Sequence, residues 1–503
     1  MSTEIGETSA PSVVSGGLWT LLNRVLPQAQ LLVLSIIVAR YLGPTEMGRQ
    51  SYIAFVSIAL VQAATAGFPI ALSRFVGELL GARRGGEALS LYRLTRRVEL
   101  LAAALCLLAL VTVALLGGDP RAAWMLAGLS AAFAVLQAVP MALLAGAQRW
   151  REGSLPGLVT GVATVPLTVV VLEAGGGITG LFGLEAAAVF ANLVWTSALA
   201  RRLASQLPEP EPAPPELRRR FLAFVGSTSL LVIIQFVVWR RSELFVLAHY
   251  STDAQIAYYS IAFAAISGLS KLPETLEAVA MPAVANLVGM GEHARIRRGF
   301  WRGMRLLVPI TLPLVAGVAV TGPALLRLAY GDAYRDAGPV LLAMLAPLLL
   351  QPMLRVSEGI LYGLGRVKFI VIAGLVATVV DLALAFALIP SMDALGAAIA
   401  NGAAILVAGI PCLALAVHLH RPVDLSVGLV LRTLPVALAV AAAAWAGLQV
   451  GTLLAVVTGT LAFLGAALVL RPVQAEDATW LSAGLGETGP RGTAAAFVRR
   501  IGA

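Results

Sequence analysis

Apolar runs of roughly 20 residues, each long enough to cross a bilayer as helix, recur from end to end of the chain. The runs are continuous and rich in Ala and Leu. They do not alternate at every second position, so the pattern predicts spanning helices and not barrel strands. Fourteen segments are predicted, near 16–41, 47–69, 98–117, 122–146, 155–174, 178–200, 221–249, 255–283, 304–328, 337–362, 368–390, 394–418, 427–447 and 450–470.

The second half of this pattern echoes the first. Leu143-Leu144-Ala145-Gly146-Ala147-Gln148-Arg149 returns as Ile360-Leu361-Tyr362-Gly363-Leu364-Gly365-Arg366, 217 positions on. Ile53-Ala54-Phe55 returns as Ile261-Ala262-Phe263, 208 on, and Phe68-Pro69 as Met281-Pro282, 213 on. Gly183-Leu184-Glu185-Ala186 answers to Gly396-Ala397-Ala398-Ile399, also 213 on. Four echoes in one order with similar offsets indicate duplication, a common design among transporters.

Charge then gives the orientation. Twenty-six of the 36 Lys and Arg residues lie in or at the edges of the connections after even-numbered segments, and only five in or at the edges of those after odd-numbered ones. The positive-inside rule therefore predicts a multi-pass protein of the cytoplasmic membrane with both termini in the cytoplasm. Composition agrees, at 59% hydrophobic, 13% charged and a mean hydropathy of +0.87. The net charge of +9 reads as membrane orientation and not as nucleic-acid binding. Glu4 and Glu7, with no Lys or Arg before segment 1, argue against a cleaved signal.

The predicted organisation is an N-terminal tail (1–15), an N-lobe of segments 1–6 (16–203) and a Pro-rich linker (204–220) containing Pro208-Glu209-Pro210-Glu211-Pro212. A C-lobe of segments 7–12 (221–420), two extra segments (421–470) and a polar tail (471–503) follow. Six segments per half give both lobes the same orientation, related by a pseudo-two-fold axis along the membrane normal. The tail is expected to be mobile, with 494–501 able to rest on lipid through Phe497, Arg499 and Arg500.

Charges within segments are costly and need a reason. Arg24 in segment 1, Arg240 and Arg241 in segment 7, Lys271 in segment 8 and Arg355 in segment 10 could line a cationic cavity between the lobes. Such a cavity would suit an anionic substrate such as a diphosphate head group. Snorkelling to the interface is the alternative for Arg24, Arg240 and Arg241, and neutralisation by Glu358 the alternative for Arg355. Lys271, Glu274 and Glu277 surround Pro273, which is expected to bend segment 8. Asp381, alone among Val and Leu with Thr378 nearby, must be protonated, paired or bound to a cation.

Enzyme chemistry has little support. The four histidines lie at segment ends or in connections, and no metal-spaced motif or phosphate loop occurs. Cys106 and Cys412 read as packing residues, with no disulfide framework, metal site or cofactor implied.

Ala39-Arg40-Tyr41-Leu42-Gly43-Pro44 with Gly48, Gly363-Leu364-Gly365-Arg366, and Leu395-Gly396-Ala397-Ala398 resemble motifs of polysaccharide-biosynthesis flippases. These belong to the multidrug/oligosaccharidyl-lipid/polysaccharide transporter superfamily, and the resemblance spans about residues 15–470. It implies a flippase that moves polyprenyl-diphosphate-linked oligosaccharide to the outer leaflet by alternating access, with glycan polymerase or assembly proteins as partners. The head group would sit among segments 1, 2, 7 and 8, where Arg24, Arg240, Arg241 and Lys271 lie, with Arg74 at the cytoplasmic mouth. Similarity to lipid II flippases implies sodium or proton coupling, with Glu243, Thr378, Asp381 and Asn401 on the matching segments. A drug/cation antiporter of the same superfamily and a membrane glycosyltransferase or polymerase are the competing readings. The short outer connections disfavour the last.

Overall fold

The computed structural model describes residues 10–239, 243–422, 425, 427–485 and 489–502. Side chains are described from Gln30 onward, apart from stretches of segments 7 and 8 and of the C-terminal tail. Contacts divide the chain into two compact units, Met1–Phe236 and Val237–Ala503.

The first unit holds α1 (Ala10–Thr65), α2 (Phe68–Gly81), α3 (Gly85–Leu115), α4 (Arg121–Gly146), α5 (Trp150–Glu173), α6 (Gly177–Ala204) and α7 (Pro215–Trp239), the last reaching just past the boundary. The second holds α8 (Glu243–Tyr250), α9 (Asp253–Gly289), α10 (His293–Tyr330), α11 (Ala337–Leu348), α12 (Gln351–Gly363) and α13 (Val367–Leu419). It ends with α14 (Val427–Leu448), α15 (Thr452–Leu470), α16 (Ala475–Leu485) and α17 (Gly489–Arg500).

The all-α membrane architecture stands. Among the described residues nine helices are long and apolar enough to span, or ten if the pair α11 and α12, bent by 43°, is one span. That is fewer than fourteen, and part of the difference lies in two merged elements. Two helices meet within α1 at Gly43 (φ 74°), the glycine of the Arg40–Gly43 motif, and two within α13 at Asp393 (φ 49°). A positive φ at Gly43 costs no Cβ clash, which is why glycine suits that position.

The duplication is visible in hydrogen bonds. At the end of α4 the amides of Gln148 and Arg149 donate to the carbonyls of Ala145 and Leu144. At the end of α12, Gly365 and Arg366 donate to Tyr362 and Leu361, the same left-handed cap 217 positions later. A second pair lies 208 positions apart. Arg83 and Arg84 donate to Leu80 and Leu79 after α2, and Gly291 and Glu292 to Val288 and Leu287 after α9. Both offsets are those of sequence echoes, so the repeated letters mark repeated helix ends.

Close helix packing repeats as well. A Cβ on Gly146 would lie 2.6 Å from the Ser73 carbonyl oxygen of α2. A Cβ on Gly359, 213 positions on, would lie 2.8 Å from the Glu277 carbonyl oxygen of α9. Each glycine lets the backbones of two helices of its own unit approach closely.

Contacts group α7 with the first unit, because Phe221 and Phe224 pack on Phe75 of α2 (5.5 and 6.0 Å between centroids) and the Gly67 amide donates to Ser229 (3.0 Å). Arg220 adds an ion pair to Glu78 at 3.0 Å. The linker also leans on the start of α3, where Ser90 donates to the Glu211 carbonyl (2.6 Å) and the Glu211 amide to that of Gly86 (3.2 Å).

The tail is folded where mobility was expected. Arg305 of α10 grips Asp477 of α16 with two hydrogen bonds of 2.7 and 3.0 Å, and Arg302 adds one of 2.9 Å. The Arg302 guanidinium also lies 5.1 Å from the Trp480 ring centroid. Arg499 of α17 reaches Ser482 of α16 at 3.1 Å. Burial alone would push the Asp477 carboxyl up, but the hydrogen bonds from Arg305 and Arg302 outweigh it and hold it below its usual range.

Candidate functional site

The sequence places Glu243, Asp381 and Asn401 far apart in the chain, and the second unit gathers them in its interior. Glu243 opens α8, while Asp381 and Asn401 lie on either side of the Asp393 break in α13. That break folds the two parts of α13 against each other. A Cβ on Gly396 would sit 2.7 Å from the Leu388 carbonyl, so the glycine of the Leu395–Ala398 motif permits the approach. Ser251, just after α8, donates to the Asp393 carboxylate and fastens the break to α8.

Within the cluster Asn401 Nδ2 donates to Glu243 Oε1 at 2.8 Å and Tyr259 Oη of α9 donates to Glu243 Oε2 at 2.9 Å. The Asp381 carboxyl lies within hydrogen-bonding reach of the Glu243 carboxyl. Glu243, Asp381 and Tyr259 are fully buried, and Asn401 nearly so. Two adjacent carboxylates in hydrocarbon repel strongly, and a proton or a cation held between them removes that repulsion. The oxygen donors present also suit a hard monovalent cation, since Asn401 keeps its own carbonyl oxygen for coordination. Among the described residues no group of three or more His, Cys, Asp and Glu has the geometry of a metal site.

The Thr378 hydroxyl, one turn before Asp381, donates to the Gly374 carbonyl of its own helix (2.9 Å). Tyr259 was missed by the sequence reading. A phenol within an apolar span needs a hydrogen-bond partner, and that was the available signal.

The basic candidates sit in a different setting. Lys271 pairs with Glu274 at 2.7 Å, and Arg355 with both Glu277 and Glu358 at 3.3 Å. These two cations therefore face three acids, and the excess positive charge expected of them is offset. The i, i+3 spacing on α9 and α12 brings two of the acids alongside, and helix packing brings Glu277. Arg74 lies in the first unit, exposed and stacked 4.3 Å from the Phe224 ring centroid. Arg240 and Arg241 lie outside the described residues, and Arg24 sits in α1 with its side chain outside them.

The family profile described as "Polysaccharide biosynthesis protein" matches residues 37–339. The chain belongs to that family. No curated protein sequence matches it. Among solved structures, this polysaccharide-biosynthesis protein resembles the lipid II flippase MurJ in its inward closed conformation. The TM-score is 0.71 at 14% identity, covering 90% of this chain and 98% of that one. An inward-facing multidrug resistance MATE transporter of the MOP superfamily gives a TM-score of 0.65 at 15% identity, covering 77% and 93%. A MOP superfamily transporter from Pyrococcus furiosus, whose binding pocket has reversed polarity, gives 0.51 at 14% identity, covering 79% and 97%. At these identities the likeness establishes the fold, which is that of MOP transporters.

Proposed function

We propose that this chain is a flippase that carries polyprenyl-diphosphate-linked oligosaccharide from the inner to the outer leaflet for cell-surface polysaccharide synthesis. The observation that carries the reading is the joining of a polysaccharide-biosynthesis family to a fold shared with a lipid flippase. The two units would alternate access to a central site, and the arginine-rich connections would face the cytoplasm with both termini.

Coupling is assigned to the Glu243–Asp381–Asn401–Tyr259 cluster, which would exchange a proton or a sodium ion during the cycle. Arg24, Arg74, Arg240 and Arg241 remain the candidates for the diphosphate, since Lys271 and Arg355 already carry acid partners. The test is a reconstituted assay following translocation of a polyprenyl-diphosphate glycan under a sodium gradient, a proton gradient or neither. Glu243→Gln should abolish the response to the coupling gradient, and Arg24→Ala should lower translocation under every gradient. No movement of the glycan lipid under any condition would defeat the reading.

A cation antiporter is the second reading. It is favoured by one observation, the buried acid pair Glu243–Asp381. Efflux of cationic dyes that is lost in Glu243→Gln, without glycan translocation, would establish it instead.

A further inference from the structure

A pocket of about 300 Å³ opens at the arginine-rich end of the first unit, between the start of α3 and the end of α6. Tyr92, Arg93 and Arg96 line it from α3, and Arg201 and Ser205 from α6. Tyr92 is buried and lies near Arg96 and Arg201. Some arginines of this unit have carboxylate partners, as in Arg84–Glu87 at 2.7 Å and Arg149–Glu152 at 3.4 Å. Here three guanidinium groups share one pocket, and among the described residues none of them has an acid within ion-pair distance. Arg201 donates to the Ser197 carbonyl of its own helix, at 3.3 Å. Three neighbouring cations repel one another unless an anion joins them, and a guanidinium fork matches phosphate oxygens well.

What continues below the pocket identifies the anion's chemistry. On α3 the face carrying Arg93 and Arg96 runs on through Leu100, exposed by 49%, and then Ala104 and Leu107. On α6 the face carrying Arg201 and Ser197 runs on through Val194 and Phe190, exposed by 47% and 49%. These positions recur at steps of three and four residues, so each helix presents one stripe, polar at its end and apolar below. The first exposed leucine is one helical turn, about 6 Å, from Arg96. Both helices pack against α4, and both stripes begin at the pocket. A free phosphate would use only the arginines. An amphiphile with a phosphate head and acyl tails would use the arginines and both stripes.

We propose that this pocket binds the phosphate of an anionic glycerophospholipid, with the acyl chains along the α3 and α6 stripes. None of the residues that line it belongs to the coupling cluster or is assigned to the transported substrate. It fixes the first unit in the interfacial layer and makes the protein's behaviour depend on anionic lipid.

The test is native mass spectrometry of the full chain released from nanodiscs holding phosphatidylglycerol and phosphatidylcholine in equal amounts. The wild type should retain one phosphatidylglycerol in preference to phosphatidylcholine. Arg93→Gln/Arg96→Gln/Arg201→Gln should reduce that preference by at least about tenfold, the change expected for one lost charged hydrogen bond. Arg218→Gln/Arg219→Gln, which removes two exposed arginines outside the pocket, should leave it unchanged. Should the triple variant not purify as a monodisperse species, Arg96→Gln alone should show the reduction. Unchanged retention in the pocket variants overturns the proposal. So does equal retention of the two lipids, or displacement of the bound lipid by inorganic phosphate, which would make the site one for the free ion.

Discussion

Replacing Asp477 by Ala removes the anion on which the C-terminal helices dock. The Asp477 side chain is 1% exposed and that of Arg305 6%, so this pair is out of water and held by two hydrogen bonds of 2.7 and 3.0 Å. Removing one partner of such a pair costs about 3–5 kcal/mol, because the remaining charge is left buried and uncompensated. In this protein the penalty need not unfold the membrane core. Arg305 regains water if α16 and α17 leave, so the cost appears as undocking, a shift of about 10²–10⁴-fold in the docked ratio. Hydrogen exchange at 475–485 and tryptic cleavage at Arg491 and Arg499 should both rise sharply, while exchange in α10 below Arg305 stays protected. Glu476→Ala is the control. Its carboxylate is 75% exposed, so loss of its 2.7 Å bridge to Arg302 should cost only about 0–1 kcal/mol. The pH dependence follows from the depressed Asp477 pKa. The contribution is complete above the unfolded carboxylate value of about 3.9 and is lost as pH falls through the lower folded value. Docking should therefore be constant at neutral pH and fail only in acid below about pH 4. Tail exchange in Asp477→Ala equal to wild type would refute the reasoning, since it would mean apolar contacts alone hold the tail.

Other substitutions probe the interior. Asn401→Leu removes the 2.8 Å donor to Glu243 and should cost about 1–3 kcal/mol in thermal unfolding, with altered sodium or proton dependence of transport. Tyr259→Phe takes away the second donor, and its loss should be smaller but shift the same ion dependence. Gly67→Ala places a Cβ against Thr228 and 2.6 Å from the Val225 carbonyl, so α2 and α7 must part; a destabilisation of about 1–3 kcal/mol is expected by denaturant titration. Arg355→Met leaves Glu277 and Glu358 without their shared cation and should lower stability, with Glu277→Gln restoring part of it in a thermal melt.

Much of the architecture was legible because membrane helices are written locally, in runs of apolar residues and in the charge of their connections. The helix ends were legible too, since the Gly365 cap and its Gln148 counterpart sit in the echoed segments. The interruptions of α1 and α13 were legible as well, since Gly43 and Asp393 fall in the gaps between predicted segments, although Asp393 adopts a positive φ that glycine more often takes. At the coupling cluster the residue types were readable, because a lone Asp381 among Val and Leu needs a partner. Their convergence was not, since Asn401 meets Glu243 across 158 positions. The pairing of Lys271 with Glu274 lay in plain sight at helical spacing, whereas Glu277 reaches Arg355 only through packing of α9 on α12. The tail misled for the same reason. Its residues are polar, and what orders it is a pair of arginines more than 170 positions upstream.

The matched glycines, Gly146 in one unit and Gly359 in the other, offer a way to ask whether the duplicated halves still share labour equally. Each position tolerates no side chain against its neighbouring helix, and the atoms nearest each belong to its own unit. An alanine at one and then at the other loosens equivalent joints one half at a time. Equal slowing of turnover would mean that both halves contribute the same stiffness to the stroke. Unequal slowing would identify which half has become the lever and which the anvil since the ancestral copies were fused.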